Sequence, residues 1–339
     1  MSQIAVAGTL ASRHDVVLLD LDGVVYLGRS PVPHAADSLH RLRNQGAGVG
    51  FVTNNAARTP EEVAAHLVEL GVEAAPEDVI TSAQAGARLL ADQLPEGSTV
   101  LVLGTAALHR EVEALGLRVV DSADDAPAGV IQGYDPQLAW PRLNEAAHAV
   151  QRGAVWVATN TDTNRPTDRG LVPGHGTAVA AVRAAVDVDP LVAGKPSPPL
   201  LQEAVRRTGA SRPLFVGDRL DTDVAGARAA GMASLLVLTG SHGVPQLLAA
   251  PPDARPDHLA ADLRGLLDPV PEVDLGDDVA RCGDAVVRLT GGRLVVDQPV
   301  PPEQQVPAAW AAARLCWLAA DRGETFDLAD AAEAVRPRG

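Results

Sequence analysis

Short apolar runs rich in Val, Leu and Ile recur along the chain, separated by segments with helical spacing. This pattern predicts a parallel sheet covered by helices on both faces. The runs of the first series lie at 16–20, 49–53, 78–81, 213–217 and 234–238. One helix-length segment, 34–45, separates the first two runs. After the second comes RTPEEVAAHLVEL, where Thr59 caps, Pro60 takes the first helical position and Glu62 closes a capping box. Val63, Leu67 and Leu70 then mark one face of that helix.

A second alternating series interrupts the first, with TVLVLGT, GLRVVD, AGVIQGYD and AVWVATN as strands and a helix predicted over 140–152. It is long enough for an independent α/β domain. The strands beyond it, PLFVGD and SLLVL, resume the earlier style, so the series reads as an insertion. Proline density then rises, and a new unit starts near 270. It offers a hairpin, DAVVRLTGGRLVVD, turning at Gly291 and Gly292, and a helix over 307–320 that carries Trp310 and Trp317 on one stripe. The predicted fold class is therefore α/β: a doubly wound, Rossmann-like core over 12–82 and 190–268, an inserted α/β domain over 83–189, and a small C-terminal α+β unit over 270–339.

Composition narrows the partners. The formal charge of −15 repels polyanions, so nucleic acid is not expected as a partner. No uninterrupted apolar stretch of ~18 residues is available to span a bilayer, and no membrane partner is expected. The N-terminal patch lacks a basic leader, which predicts a cytoplasmic protein. Two cysteines, Cys282 and Cys316, are too few for a disulfide framework or a four-ligand zinc site and read as packing residues. Lys195 is the one lysine among 28 basic residues, so it marks a position where a compact ammonium serves and a guanidinium does not.

The candidate chemistry sits at strand ends. Asp20 and Asp22 flank Leu21 where the first run stops, and Gly23 lets the chain turn after them, so both carboxylates converge beyond the strand's C-terminal end. Ligands of open parallel sheets bind there. Two carboxylates held this close repel each other unless a cation lies between them. A lone D-x-D-G also fits a solvated turn, but not a calcium loop, because the twelfth position from Asp20 is Pro31 where a glutamate is needed. FVTNN brings Thr53, Asn54 and Asn55; AGKPSPP brings Lys195; FVGDRLDTD brings Asp218, Asp221 and Asp223.

That inventory fits a phosphate group and a magnesium ion, which takes hard oxygen ligands and few protein carboxylates. Thr53, Asn54, Asn55 and Lys195 are expected to hold phosphoryl oxygens. One carboxylate then remains to attack phosphorus, and another to move protons.

In order, DLDGV, TNN, GKP and GDRLDTD resemble the four motifs of the haloacid dehalogenase-like hydrolases, over residues 15–267. Only one helix separates the first two motifs, and the large insertion lies between the second and third. This is similar to subclass IIA with a C2-type cap, which holds NagD-type, phosphoglycolate, glycerol-phosphate and pyridoxal phosphatases. The resemblance implies Asp20 as nucleophile and Asp22 as general acid/base with its carbonyl on the metal. It further implies Asp218 as a metal ligand, Asp223 ordering the metal's water shell, and Lys195 neutralising Asp20 and the phosphate. Dehalogenases lack the second aspartate, which is present here. In similar proteins a polar loop, here 159–176, closes over the substrate, which makes Asn160, Asp162, Arg165 and His175 candidates for reading the leaving group.

Arg58 and Arg219 stand beside motif residues and could face a substrate carboxylate or solvent. The C-terminal unit resembles a small acetyltransferase-like appendage, but its nearest match to a CoA-binding turn, 288–293, leads into a strand, so no acyl transfer is expected. The implied activity is a magnesium-dependent phosphatase for a small phosphometabolite, glycerol 3-phosphate or 2-phosphoglycolate. Sugar phosphate, pyridoxal phosphate and nucleotide stay open as substrates, and a non-catalytic binding or scaffold role stays open as an alternative. The resemblance also allows a homodimer through the cap or the C-terminal unit.

Overall fold

The computed structural model of the chain describes residues 8–167 and 169–335; the patch read at 1–7 lies outside them. Two compact units divide the chain: residues up to 27, 31–48 and from 212 onward form one, and 28–30 with 49–211 form the other. Both are built on parallel strands with helical crossovers, the α/β class expected.

In the first unit Val16–Leu19 pairs in parallel with Pro213–Gly217, which pairs with Ala233–Val237, which pairs with His258–Ala260. All four residues of Val16–Leu19 are buried, which is why this strand reads as a continuous apolar run without alternation. The helix Ala35–Asn44 buries Ala35, Ser38, Leu39 and Leu42, the spacing of one helical face.

From residue 270 the expected hairpin forms, with Ala285–Thr290 against Arg293–Val296, inside a four-stranded antiparallel sheet completed by Val273–Leu275 and Val279–Cys282. The helix Gln305–Asp321 is buried on nearly every side, as an alanine-rich helix with apolar residues all round must be. It does not rest on its own sheet alone. Trp310, Trp317 and Leu315 share one apolar core with Leu220, Val224, Leu236 and Leu247 of the parallel-stranded part. Trp317 donates its indole N–H to the Leu247 carbonyl at 2.9 Å, and Arg255 makes a bidentate pair with Asp321 at 2.7 and 2.8 Å. Cys282 and Cys316 are packing residues here, and burial pushes their thiols up to about 11 and about 12.

In the second unit Gly48–Thr53 pairs in parallel with Val79–Thr81. The capping box at Thr59 forms as read: Glu62 donates its N–H to the Thr59 hydroxyl, and the Glu62 carboxylate accepts the Thr59 N–H at 2.8 Å. A five-stranded parallel sheet runs in the order Leu191–Val192, Val155–Ala158, Gly129–Gln132, Thr99–Leu103, Arg118–Val120. The polar segment expected as a loop is instead a short antiparallel hairpin, Asn164–Thr167 with Gly170–Pro173. It contains Pro166 and Pro173, and in a two-stranded ribbon every strand is an edge, where a missing N–H is tolerated. Among the described residues no helix is long and apolar enough to cross a membrane.

Candidate active site

Three carboxylates meet at the carboxyl ends of two neighbouring strands of the first unit. Asp20 follows Val16–Leu19, and its N–H donates to the Val216 carbonyl at 2.9 Å, which carries the pairing one residue past the strand. Asp218 follows Pro213–Gly217, and Asp223 sits on the π-helical turn Leu220–Val224 immediately after it. Each of the three offers an oxygen within 4.8 Å of the others. Asp218 and Asp223 are buried, at 1% and 2% exposed, and Asp20 is half-buried. Hard oxygens gathered this closely fit a divalent cation such as magnesium, which removes the repulsion between them.

The cluster is held by main-chain donors. Asp223 Oδ2 accepts the N–H groups of Asp218 and Arg219, each at 3.1 Å, and Asp218 Oδ2 accepts the Ser241 N–H at 2.6 Å. Asp22 lies outside the three-carboxylate group and is exposed. The chain turns sharply after it, with Gly23 at φ +86° donating to the Tyr26 carbonyl at 2.7 Å. A side chain at Gly23 would also lie 2.4 Å from Asp218 Oδ2, so glycine is needed there twice over. Asp221 points elsewhere: burial pushes its carboxyl up, but the hydrogen bonds and charge of Arg219 outweigh burial and hold it below the usual range.

The second unit gathers the other expected group at three strand ends. Asn54 follows Gly48–Thr53, Asn160 follows Val155–Ala158, and Lys195 follows Leu191–Val192. Asn54 Oδ1 accepts the Lys195 N–H at 2.9 Å, and Asn54 Nδ2 donates to the Lys195 carbonyl at 3.1 Å and to Asp162 Oδ2 at 3.4 Å. Asn160 Nδ2 donates to the Asn54 carbonyl at 2.7 Å. Thr53 accepts the Asn55 N–H at 3.1 Å, which leaves its own O–H to donate. The Asn55 side chain accepts the Ala57 N–H and so shapes the turn.

Family models match both parts of this arrangement. Residues 17–118 match "haloacid dehalogenase-like hydrolase" and residues 192–266 match a HAD-hydrolase-like model. A D-glycerol 3-phosphate phosphatase from Mycobacterium tuberculosis is 51% identical over 258 residues, 76% of this chain and 72% of the relative. The chain belongs to the haloacid dehalogenase-like hydrolases. An acid sugar phosphatase from Staphylococcus aureus is 34% identical over 230 residues, 67% of this chain and 88% of the relative. A crystal structure of the glycerol phosphate phosphatase from M. tuberculosis in complex with magnesium superposes with a TM-score of 0.80 at 44% identity, covering 91% of this chain and 92% of that one.

Not every candidate for the leaving group stands free in this haloacid dehalogenase-like chain. Arg165 is exposed and stacks over the Tyr134 ring at 4.9 Å. His175 opens the helix His175–Arg183 and is 4% exposed. Burial pushes its pKa down to about 4, only partly opposed by a hydrogen bond to the Gln132 main chain, so the imidazole is neutral at physiological pH. Arg58 is exposed, and Arg219 is committed to Asp221.

Two residues that hold the acidic cluster carry no signal in the motifs: Ser241, through its N–H, and Thr239, whose hydroxyl donates to the Gly23 carbonyl at 2.6 Å. Both lie in TGSHG, beyond the strand Ala233–Val237. Gly240 between them would bring a methyl group to 2.0 Å from Asp218 Oδ2. Gly240→Ala is therefore expected to displace that carboxylate and weaken magnesium binding by about 10- to 100-fold, as read by calorimetric titration.

Proposed function

We propose that this chain is a magnesium-dependent phosphatase that hydrolyses a small phosphomonoester, with glycerol 3-phosphate as the favoured substrate. The observation that carries this reading is the convergence of the Asp20, Asp218 and Asp223 oxygens beside a second aspartate, Asp22, at the ends of parallel strands. The 51% identical relative, a D-glycerol 3-phosphate phosphatase, supports the choice of substrate, and 2-phosphoglycolate is the comparison. Asp20, Asp218, Asp223 and the Asp22 main chain would hold the ion. When bound, magnesium screens the carboxylates and draws charge from the phosphoryl oxygens.

The chain's own residues perform the rest. Asp20 attacks phosphorus to give an aspartyl-phosphate, and Asp22, open to solvent, gives its proton to the departing alkoxide. A water molecule then attacks the same phosphorus, Asp22 takes its proton, and inorganic phosphate leaves while the Asp20 carboxylate is restored. The Thr53 hydroxyl and the Lys195 ammonium hold phosphoryl oxygens through both steps. The expected setting is the cytoplasm.

Purified protein incubated with glycerol 3-phosphate should release inorganic phosphate in the presence of magnesium and none with excess chelator. Release from 2-phosphoglycolate should be slower. Phosphate release that is unaffected by chelator, or no release from any small phosphomonoester, would exclude this reading.

A further inference from the structure

We infer that Asn54, Asn160 and Asp162 form a clamp that positions Lys195, and that Asn160 and Asp162 do not read the leaving group; the inference rests on Lys195 serving the phosphatase site proposed above. Asn54 makes with the main chain of Lys195 the same pair of bonds that one strand makes with another, accepting its N–H at 2.9 Å and donating to its carbonyl at 3.1 Å. The remaining hydrogen on Asn54 Nδ2 is directed at Asp162 Oδ2, at 3.4 Å.

The Asn54 main chain is fixed in turn. Its carbonyl accepts from the Ser82 hydroxyl at 2.6 Å and from Asn160 Nδ2 at 2.7 Å, which fills both lone pairs. Asn160 also accepts the Asp162 N–H at 3.2 Å, which bends the chain so that the Asp162 carboxylate comes to Asn54. Asn160 is 4% exposed and Lys195 3% exposed, so both are buried. The Asn54 and Asn160 amides are thus directed at the protein's own main chain.

The consequence for the reaction lies in the origin of the lysine stem. A lysine carries one point charge on four flexible carbons, so its aim depends on where the stem begins. Displacing a reacting or charge-bearing group by about 1 Å costs on the order of 10²-fold in rate. A clamp on the peptide groups of residue 195 fixes that origin whatever alcohol is leaving.

The test compares glycerol 3-phosphate with 4-nitrophenyl phosphate, whose leaving groups are a polyol and an aromatic phenol, using the full chain with magnesium. Asn54→Ala and Asn160→Ala should lower kcat by about 10- to 100-fold on both substrates by the same factor, with KM changed far less. Asp162→Ala, at a half-buried position, should lower kcat on both by a smaller common factor. Asp162→Asn keeps an oxygen acceptor for Asn54 Nδ2 and should recover most of that loss. Loss of glycerol 3-phosphate turnover with 4-nitrophenyl phosphate turnover intact, in Asn160→Ala or Asp162→Ala, would overturn the inference. A parent enzyme inert toward both substrates would overturn the phosphatase reading itself.

Discussion

Asp20→Asn should lower glycerol 3-phosphate turnover by at least about 10³-fold while the protein stays folded, because a carboxamide has the shape of the carboxylate without its nucleophilic oxygen. The position makes the loss large. Asp20 is one of three residues offering oxygens within 4.8 Å of each other, and it alone of them stands at the end of the fully buried strand Val16–Leu19. If its role were only to balance the charge of the metal, the amide oxygen would retain a ligand, and activity would recover at high magnesium. Nucleophilic attack predicts instead that saturating magnesium restores nothing. A trapping measurement makes the distinction sharper: rapid acid quench with radiolabelled substrate should leave label on the parent protein and none on the variant. Parent-like turnover by Asp20→Asn would remove the assignment.

The strand ends were legible in the sequence because burial on both faces writes itself as an unbroken apolar run, and a carboxylate that ends such a run has to be explained. Thr59 and Glu62, three residues apart, announced their capping box in the same local way, and Gly291 with Gly292 announced the hairpin. What stayed hidden is non-local. Ser241 holds Asp218 through a main-chain N–H, a group that every residue but proline carries, so no side chain in TGSHG marks it.

The hairpin Asn164–Thr167 with Gly170–Pro173 lies in a polar, glycine-rich stretch that reads as a loop, and its prolines are tolerated in an edge strand. His175 sits at the end of a polar, glycine-rich stretch and looks like a loop residue, yet the helix it opens packs it inward. The inward commitment of Asn54 and Asn160 is hidden for the same reason: their residue types are those of ligand-binding loops, and only the fold reveals that they bond to the main chain. In the C-terminal segment the helix and the hairpin were legible, but not the core they share with Leu220, Val224 and Leu236: a helix buried all round has no polar face to show which side meets a partner.

That shared burial leads to the largest expected effect on stability. Trp317→Ala should destabilise the protein by about 3–5 kcal/mol, the cost of removing a large buried aromatic side chain. Trp317 meets the Trp310 ring edge-on at 5.6 Å, lies under the Arg255 guanidinium at 5.5 Å, and bonds to the Leu247 carbonyl. Trp317→Phe keeps most of the packing and deletes the N–H, leaving the buried Leu247 carbonyl short of that donor, at a cost of about 1–3 kcal/mol.

The pattern of melting decides what the C-terminal segment is. An independent appendage would melt in a transition of its own and leave the parallel-stranded part unmoved. One continuous core, with Trp317 and Leu220 in the same cluster, predicts that the transition of this unit falls as a whole, by roughly 10 °C in calorimetry. Leu220 and Val224 bracket Asp223 on the turn that completes the acidic cluster, so the same substitution should also weaken magnesium binding below the melting range. Two separate transitions, with only one displaced and magnesium affinity unchanged, would show that the segment is a passenger.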